Sequence, residues 1–483
     1  MKFLSKGELE QKHRLIILTD MENEPDDSQT MVKLLMYSNE IDIEGLIAVT
    51  SRWLQHSVYP ESIYDRVKAY GVVRSNLQKH ATGWPTEDYL LERVAGGQRG
   101  YGMEVVGSGK NTLGSDLIIR VLEADDDRPV HFAINAGANT LAQALFDIRE
   151  TRPEEELERL VAKIRVYDDA GQDNSGAWIC HEFPNIFYVR SRAQVFGLFG
   201  PDFSGGGDNG PTPWAPLDQY DWAEAHIRTR HGVLGALYPQ RMFKGGKFEF
   251  MDGGGTTTWL GLVNKGLYDP KEISWGGWGG RFSWEKKELY SFIRDLAPLE
   301  EPYSPFAMFP EEDDWSWSFE TDKKFEEFSG LTGMTYTNET FYPLWRWRDA
   351  YTHDFQARMD WCVCDYGHAN HHPIAAFYDD RNRTIVRLSA TAGEELILDA
   401  SQSWDPDMTV NRGDPRLNFL WGPYPEAGTY TGDIKVSDND KDKAKFVVPS
   451  DASGKQIHIV LSVTDSHLEV PLTSYRRIVI NVE

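Results

Sequence analysis

The chain has 483 residues, 40% of them apolar, with 16 Trp, 21 Tyr and 23 Phe, which is more than one hydrophobic core usually serves, so two folded domains are expected. Its 50 basic and 75 acidic residues give a formal charge of -25, which repels phosphate backbones and anionic membrane surfaces and excludes a nucleic acid polymer as ligand. Three cysteines, Cys180, Cys362 and Cys364, cannot build a disulfide framework. The opening "MKFLSKGELEQKHRL" has no apolar h-region, and nothing later reaches about 18 consecutive apolar residues, so neither a signal peptide nor a membrane span is expected.

In chain order, "RLIIL" reads as a buried strand, and Pro25 opens a helix with Met31, Leu34 and Leu35 at helical spacing. "IEGLIAVT" (43–50) is a second strand, followed by a helix over 60–73. Further helices are expected at 115–122, 139–150 and 153–163, with strands "VHFAIN" (130–135) and "IRVYD" (164–168) between them. Such βα repetition implies an α/β domain with a mostly parallel sheet flanked by helices. Asp20, Thr50, Asn135 and Asp168 stand at the carboxyl ends of these strands, the edge where open α/β sheets bind ligands. From about 200 to 345 come long loops rich in Gly, Pro and Trp. After "HANHHPIAAF" the text turns to alternating strands: "TIVRLSA", "EELILDAS", "LNFLWGP", "AKFVVPS", "IHIVLSVTD" and "YRRIVINVE". They predict an all-β sandwich over 376–483, with the α/β domain occupying 1–375.

The segment "LTDMENEPDDSQT" places Asp20, Glu22, Glu24, Asp26 and Asp27 directly behind the first strand. Asp26 and Asp27 can complement the dipole of the following helix, at roughly 0.3 to 1 kcal/mol each. Five acids on one loop exceed that need. Two readings stay open: a hard divalent cation among the carboxylates, or a solvated acidic turn.

The order strand, D-x-E-x-x-x-D-D, helix resembles the D-x-D-x-x-x-D-D signature of nucleoside hydrolases, with Asp20, Glu22, Asp26 and Asp27 at its acidic positions. With "GLIAVTSRW", "EFPNIFYV" and "WGGWGGRF", the chain looks like the nucleoside-hydrolase-like proteins described as cellulose-binding, which end in an immunoglobulin-like domain; this implies a nucleoside-hydrolase-like fold over most of the chain and an immunoglobulin-like sandwich at its end. The resemblance implies a Ca2+ ion held by Glu22 and Asp27, with the backbone at Asn139 (in "NAGANTLAQAL") and Asp252 (in "FMDGGGTTTW") completing the shell. It implies that Asp26 contacts sugar hydroxyls, and that Asn174, Glu182 and Asn185, from "DNSGAWICHEFPN", bind substrate together with Arg52. The mechanism it implies is metal-assisted hydrolysis with inversion, Glu22 being the leading base and Asp20 its support. Glutamate in place of the family's second aspartate moves the carboxylate by about one methylene, on the scale of 1 Å at which catalysis responds strongly. The resemblance also suggests export, while the compartment itself stays unknown.

In "WGGWGGRF", Trp275 and Trp278 either present aromatic faces to a substrate or pack the domain's own loops. "CVCDYGHANHH" fits no common zinc spacing, and "GSGKNT" lacks the first glycine and the Ser/Thr of a P-loop. "LDASQSWDPD" resembles the start of polycystic-kidney-disease-type domains, with Asp399, Ser401 and Asp405 expected to tie down a turn. No leaving-group acid is assigned among His131, His181 and His231. The expected function is calcium-dependent hydrolysis of an N-ribosyl or furanosyl bond in a small sugar, nucleoside or glycan. The alternative is a carbohydrate-binding protein that keeps the fold without turnover. Homo-oligomerisation is left open.

Overall fold

The computed structural model describes residues 2–3, 11–23, 25–169, 171–191, 222–240, 254–286, 306–308, 316–318, 335–337, 343–344, 346–407 and 417–483. These form two compact units: Lys12–Leu260 with Gly279–Arg348, and Met1–Gln11 with Gly261–Trp278 and Asp349–Glu483. The expected boundary at 375 falls inside the second unit.

That unit begins with a short strand β1 (Lys2–Phe3). The other unit begins with β2 (His13–Thr19), α1 (Pro25–Leu35), β3 (Ile41–Ala48), α2 (Pro60–His80), α3 (Glu87–Leu91) and β4 (Val94–Gly96). It continues through α4 (Leu113–Glu123), β5 (Val130–Ile134), α5 (Asn139–Thr151), α6 (Glu154–Ala162), β6 (Ile164–Asp169), α7 (Ser175–Glu182) and β7 (Phe187–Ser191). Two later strands, β8 (Phe282–Lys286) and β9 (Phe306–Met308), complete a sheet of order β4-β3-β2-β5-β6-β7-β9-β8. All neighbours in it run parallel except β8 and β9. Its central strand β2 carries an unbroken aliphatic run, as a strand covered on both faces needs: Leu15, Ile16, Ile17 and Leu18 are all fully buried. Strands β10 (Ser316–Ser318) and β11 (Thr335–Thr337) form a separate antiparallel pair.

The strand order fixes where a ligand can sit. From β2 the chain winds outward through β3 to β4, then returns to the other side of β2 with β5 and continues to β7. The two windings diverge between the carboxyl ends of β2 and β5, the switch point at which open α/β sheets form their ligand crevice. Asp20 follows β2 and Asn135 follows β5, so both stand at its mouth.

The sandwich strands are β12 (Val386–Ala390), β13 (Glu395–Asp399), β14 (Asn418–Pro423), β15 (Val436–Ser437), β16 (Lys443–Val447), β17 (Gln456–Thr464) and β18 (Thr473–Val482). One sheet has the order β1-β12-β18-β17-β14, the other β13-β16-β15. Strands β13 and β16 alternate between exposed and buried residues, as a sheet with one wet face must. Trp421, Phe446, Leu461 and Ile480 fill the interior.

Helix Arg348–Asp360 explains why a cut at 375 divides a packed body. Its Asp354 is 3.3 Å from Lys265 Nζ, 3.2 Å from Arg358 Nε and 2.8 Å from His372 Nε2. Burial alone would raise this carboxyl, but Lys265, Arg358 and His372 hold it well below the usual range. A charge cluster buried this deeply commits 265, 354–358 and 372 to one folding unit.

Trp275 and Trp278 belong to this unit and are 4% and 2% exposed. Trp275 lies 4.8 Å from His458, with Arg387 4.7 Å over its ring, and Trp278 meets Tyr351 and Tyr475 edge-on. They are packing residues rather than open faces for a sugar, because these neighbours from the same unit bury their rings. In the turn after β13, Asp399 Oδ1 accepts from the Ser401 amide at 2.9 Å, and Asp405 Oδ1 accepts from the Asp407 amide at 2.8 Å. Among the described residues no helix is long and apolar enough to cross a membrane.

Candidate functional site

The site is built from the loops that leave β2, β3, β5 and β6. Behind β2, the Asn23 amide bonds the Asp20 carbonyl at 3.2 Å and its Nδ2 donates to Asp20 Oδ2 at 3.1 Å, closing a tight turn. Within that turn Glu22 takes a left-handed backbone, φ 71°. Asp20 and Asp27 are 4% and 6% exposed, and the Thr19 hydroxyl donates to Asp27 Oδ1. Burial, then the facing Asp27, pushes the Asp20 carboxyl well above its usual range, while the Ser51 hydroxyl pulls the other way.

A second group of acids arrives from β6. Asp168 is 1% exposed, accepts from the Gly171 amide at 3.1 Å and from the Tyr188 hydroxyl at 3.0 Å. Its neighbour Asp169 is pushed well up by burial and by Asp168, Asp27 and Asp26, so the two acidic segments share one electrostatic environment. Asp173 Oδ1 accepts from the Ser175 amide at 2.8 Å, whereas its buried Oδ2 has no hydrogen-bond partner. Burial raises this carboxyl to about 6. Asn135 behaves alike: Oδ1 accepts from Thr258 at 2.8 Å, and its buried Nδ2 has no partner. Gly137 makes the crevice narrow, since a Cβ there would lie 2.3 Å from Asp173 Oδ2 and 2.7 Å from the Thr50 carbonyl.

The residues expected to form the site separate into groups. Asp20, Asp26 and Asp27 stay together at the crevice. Glu22 turns outward: its side chain is half exposed, accepts from the Ser62 hydroxyl and lies 3.8 Å from Arg66. The turn conformation that lets Asn23 cap Asp20 directs Glu22 toward α2. Asn139 is fully buried beside the crevice, its Nδ2 donating at 2.9 Å to Thr50 and to the Gly100 carbonyl. Arg52 is half-buried and packs 5.0 Å over the Trp53 ring; its Nε is buried without a partner. Asn174 accepts from the Met103 amide at 2.9 Å, so its side chain serves the 102–105 turn. Glu182, in the last turn of α7, pairs with Arg149 at 2.6 Å, and Asn185 is exposed in the turn entering β7. Both stand at the amino edge of the sheet, opposite the crevice, because a helix leading back into a parallel strand must end there. Asp252 lies outside the described residues.

Sequence reasoning passed over Ser51, Asp169, Asp173 and Thr258. "DDAGQD", at the end of β6, carried the same signal as the first acidic loop: acids clustered where a buried strand stops. His131 and His181 stand toward the amino edge, and His231 Nδ1 is 2.8 Å from the Thr229 carbonyl.

The donor chemistry at the crevice suits a hard divalent cation: carboxylates raised by burial and mutual repulsion, and a buried carboxylate oxygen without a donor. Among the described residues, no three Asp, Glu, His or Cys side chains are already arranged to hold a metal ion.

Residues 14–282 match the model of the family described as "Cellulose-binding Sde182, nucleoside hydrolase-like domain", and residues 395–482 match "Cellulose-binding protein Sde0182, C-terminal domain". No curated protein sequence matches the chain. A solved structure, a nucleoside hydrolase-related hypothetical protein from Saccharophagus degradans associated with carbohydrate metabolism, is 36% identical over 98% of this chain and 100% of its own, with a TM-score of 0.80. The chain therefore belongs to the Sde182 family of cellulose-binding proteins with a nucleoside-hydrolase-like domain and a distinct C-terminal domain.

Proposed function

We propose that the crevice is a cation-assisted glycosidic site of a carbohydrate-directed protein. The observation that carries this is the convergence of Asp20, Asp27, Asp168, Asp169 and Asp173, all nine-tenths or more buried, at the point where the sheet's two windings diverge. Carboxylates crowded in low dielectric repel one another, and a divalent cation offsets that cost. Asp20 and Asp27 would hold Ca2+ there, and when bound the ion would orient and acidify a water.

The chain's own groups then divide the proton work. Glu22 is engaged with Ser62, which leaves Asp20 as the carboxylate placed to take the water's proton. Asp26 opens the helix beside it and is the contact for the sugar's hydroxyls. Asp173, raised to about 6, keeps a proton into the near-neutral range and carries the unpartnered Oδ2, so it is the group suited to protonate the leaving atom. Water attacks the anomeric carbon, the glycosidic bond breaks with its electron pair on the departing atom, and configuration inverts.

A second reading, a binding protein without turnover, is favoured by the outward turn of Glu22, the family's expected base. Titration of Ca2+ into chelator-treated protein and into Asp27→Ala, followed by a screen of p-nitrophenyl glycosides and nucleosides, separates the two. Binding lost in the variant, with hydrolysis that Asp173→Asn abolishes, supports the enzyme. Ca2+ and sugar binding without any turnover supports the second reading, and no Ca2+ binding refutes the cation site.

A further inference from the structure

The end of β3 is tied to its neighbours by backbone bonds: the Val49 amide donates to the Thr19 carbonyl at 2.9 Å, and the Gly137 amide, beyond β5, donates to the Thr50 carbonyl at 2.9 Å. The next residue, Ser51, is fully buried and stands beside Asp20, the residue that follows Thr19. Its loop closes on itself, with the Ser51 amide donating to the Leu54 carbonyl at 3.0 Å and Gln55 Nε2 donating to the Arg52 carbonyl at 3.1 Å.

A serine hydroxyl has one proton to give and two lone pairs with which to accept. The Trp53 and Leu54 amides donate to the Ser51 oxygen at 3.0 Å each, so the loop's own backbone takes both lone pairs. Only the proton remains, and it goes to the Asp20 carboxyl. The bond therefore has one direction. Ser51 has no lone pair left for a protonated Asp20, and the arrangement favours the charged carboxylate. Asn23 Nδ2, in the turn behind β2, is a second donor to Asp20 at 3.1 Å. Against these two donors stand burial and the carboxylates of Asp27 and Asp26 on α1, while Asp169 at the end of β6 responds to the same two acids.

We infer that Ser51 is a positioning residue for the water-activating carboxylate: with both lone pairs fixed by the Trp53 and Leu54 amides, its single proton holds Asp20 in place and in its charged form. A buried carboxyl crowded by two like charges would otherwise keep its proton, and a protonated group cannot take one from water. Ser51 acts on Asp20 from the 51–54 loop and not on the substrate. The inference rests on Asp20 being the base of the crevice, but the bond between the two residues reads out in stability, without turnover or metal.

The test is a double-variant cycle of Ser51→Ala and Asp20→Asn, melted in chelator at half-unit steps from about pH 4 to 8. Burial raises the Asp20 carboxyl in the folded state, so its stability contribution is fully present below 3.8 and is lost as pH rises through the folded value. Without the Ser51 donor that folded value rises further, and the loss extends to higher pH by about one to two units, the worth of a hydrogen bond to a charged group. Ser51→Ala is therefore expected to lower the melting temperature more at pH 8 than at pH 4 where Asp20 is present, and equally at every pH in the Asp20→Asn background. The Trp53 and Leu54 amides, left without their acceptor, contribute only the part that is flat with pH. Ser51→Cys, which fills the site with a weak donor, should give the same profile and serves if Ser51→Ala does not fold. A Ser51 effect that is flat with pH, or whose pH dependence survives in Asp20→Asn, overturns the proposal and leaves Ser51 as an anchor of its own loop. Ca2+ titration of the parent separates the two readings: no Ca2+ binding with the pH-dependent coupling intact refutes the cation site and leaves Ser51 in its role, and Ca2+ binding with the coupling absent does the reverse.

Discussion

Asp173 offers the sharpest test of the crowded-carboxylate argument, because its energetic cost can be worked out. Burial raises its carboxyl from 3.8 to about 6. A carboxyl raised in the folded state binds its proton more tightly there than in the unfolded chain. Its stability contribution is fully present below pH 3.8 and is lost as pH rises through about 6. At about 1.4 kcal/mol per pH unit, the ionised group costs the folded state about 3 kcal/mol above that range. Asparagine cannot ionise, and its carbonyl can still accept from the Ser175 amide. Asp173→Asn is therefore expected to be more stable than the parent at pH 8, by up to about 3 kcal/mol or a melting shift of several degrees, and equal to it at pH 4. Melting curves at half-unit steps from pH 4 to 8, with chelator and with Ca2+, measure this. Added Ca2+ should narrow the gap at pH 8 by stabilising the parent more than the variant. An offset that is the same at pH 4 and pH 8, or a variant less stable at pH 8, would refute the reasoning.

Two further outcomes follow from other parts of the molecule. Glu22→Gln should leave Ca2+ and sugar affinity within about threefold, an interaction with Ser62 being retained by the amide; a drop in turnover of a hundredfold or more would show that Glu22 swings inward as the base, and calorimetry beside a hydrolysis assay reads both. Asp354→Asn leaves Lys265 and Arg358 facing a neutral group in a buried cluster and should cost about 3 to 5 kcal/mol in denaturant unfolding, the loss falling on the unit that contains the sandwich.

What the sequence disclosed and what it concealed have a common physical cause. Strands β2, β3, β5 and β6 were legible because a parallel sheet covered on both faces needs unbroken aliphatic runs, and the polar residues that end those runs mark the binding edge with no further information. Asp20, Thr50, Asn135 and Asp168 follow or close these strands at that edge for this reason. Side-chain direction was not legible. Glu22 turns toward Ser62 because its own backbone is left-handed, and Asn174 is taken by the Met103 amide; neither follows from spacing along the chain. Glu182 and Asn185 were drawn toward the site by motif likeness, although a helix running back to the next parallel strand carries its last turn to the opposite edge. The same limit hid the unit boundary: "NKGLYDPKEISWGGW" reads as one more loop of the α/β region, and only the three-dimensional pairing of Lys265 with Asp354 and His372 assigns it to the unit of the sandwich. Where chemistry depends on which edge of the sheet a residue occupies, hydrophobic pattern suffices. Where it depends on the rotation of a single carboxylate, as the choice between turnover and binding does here, the turn geometry decides.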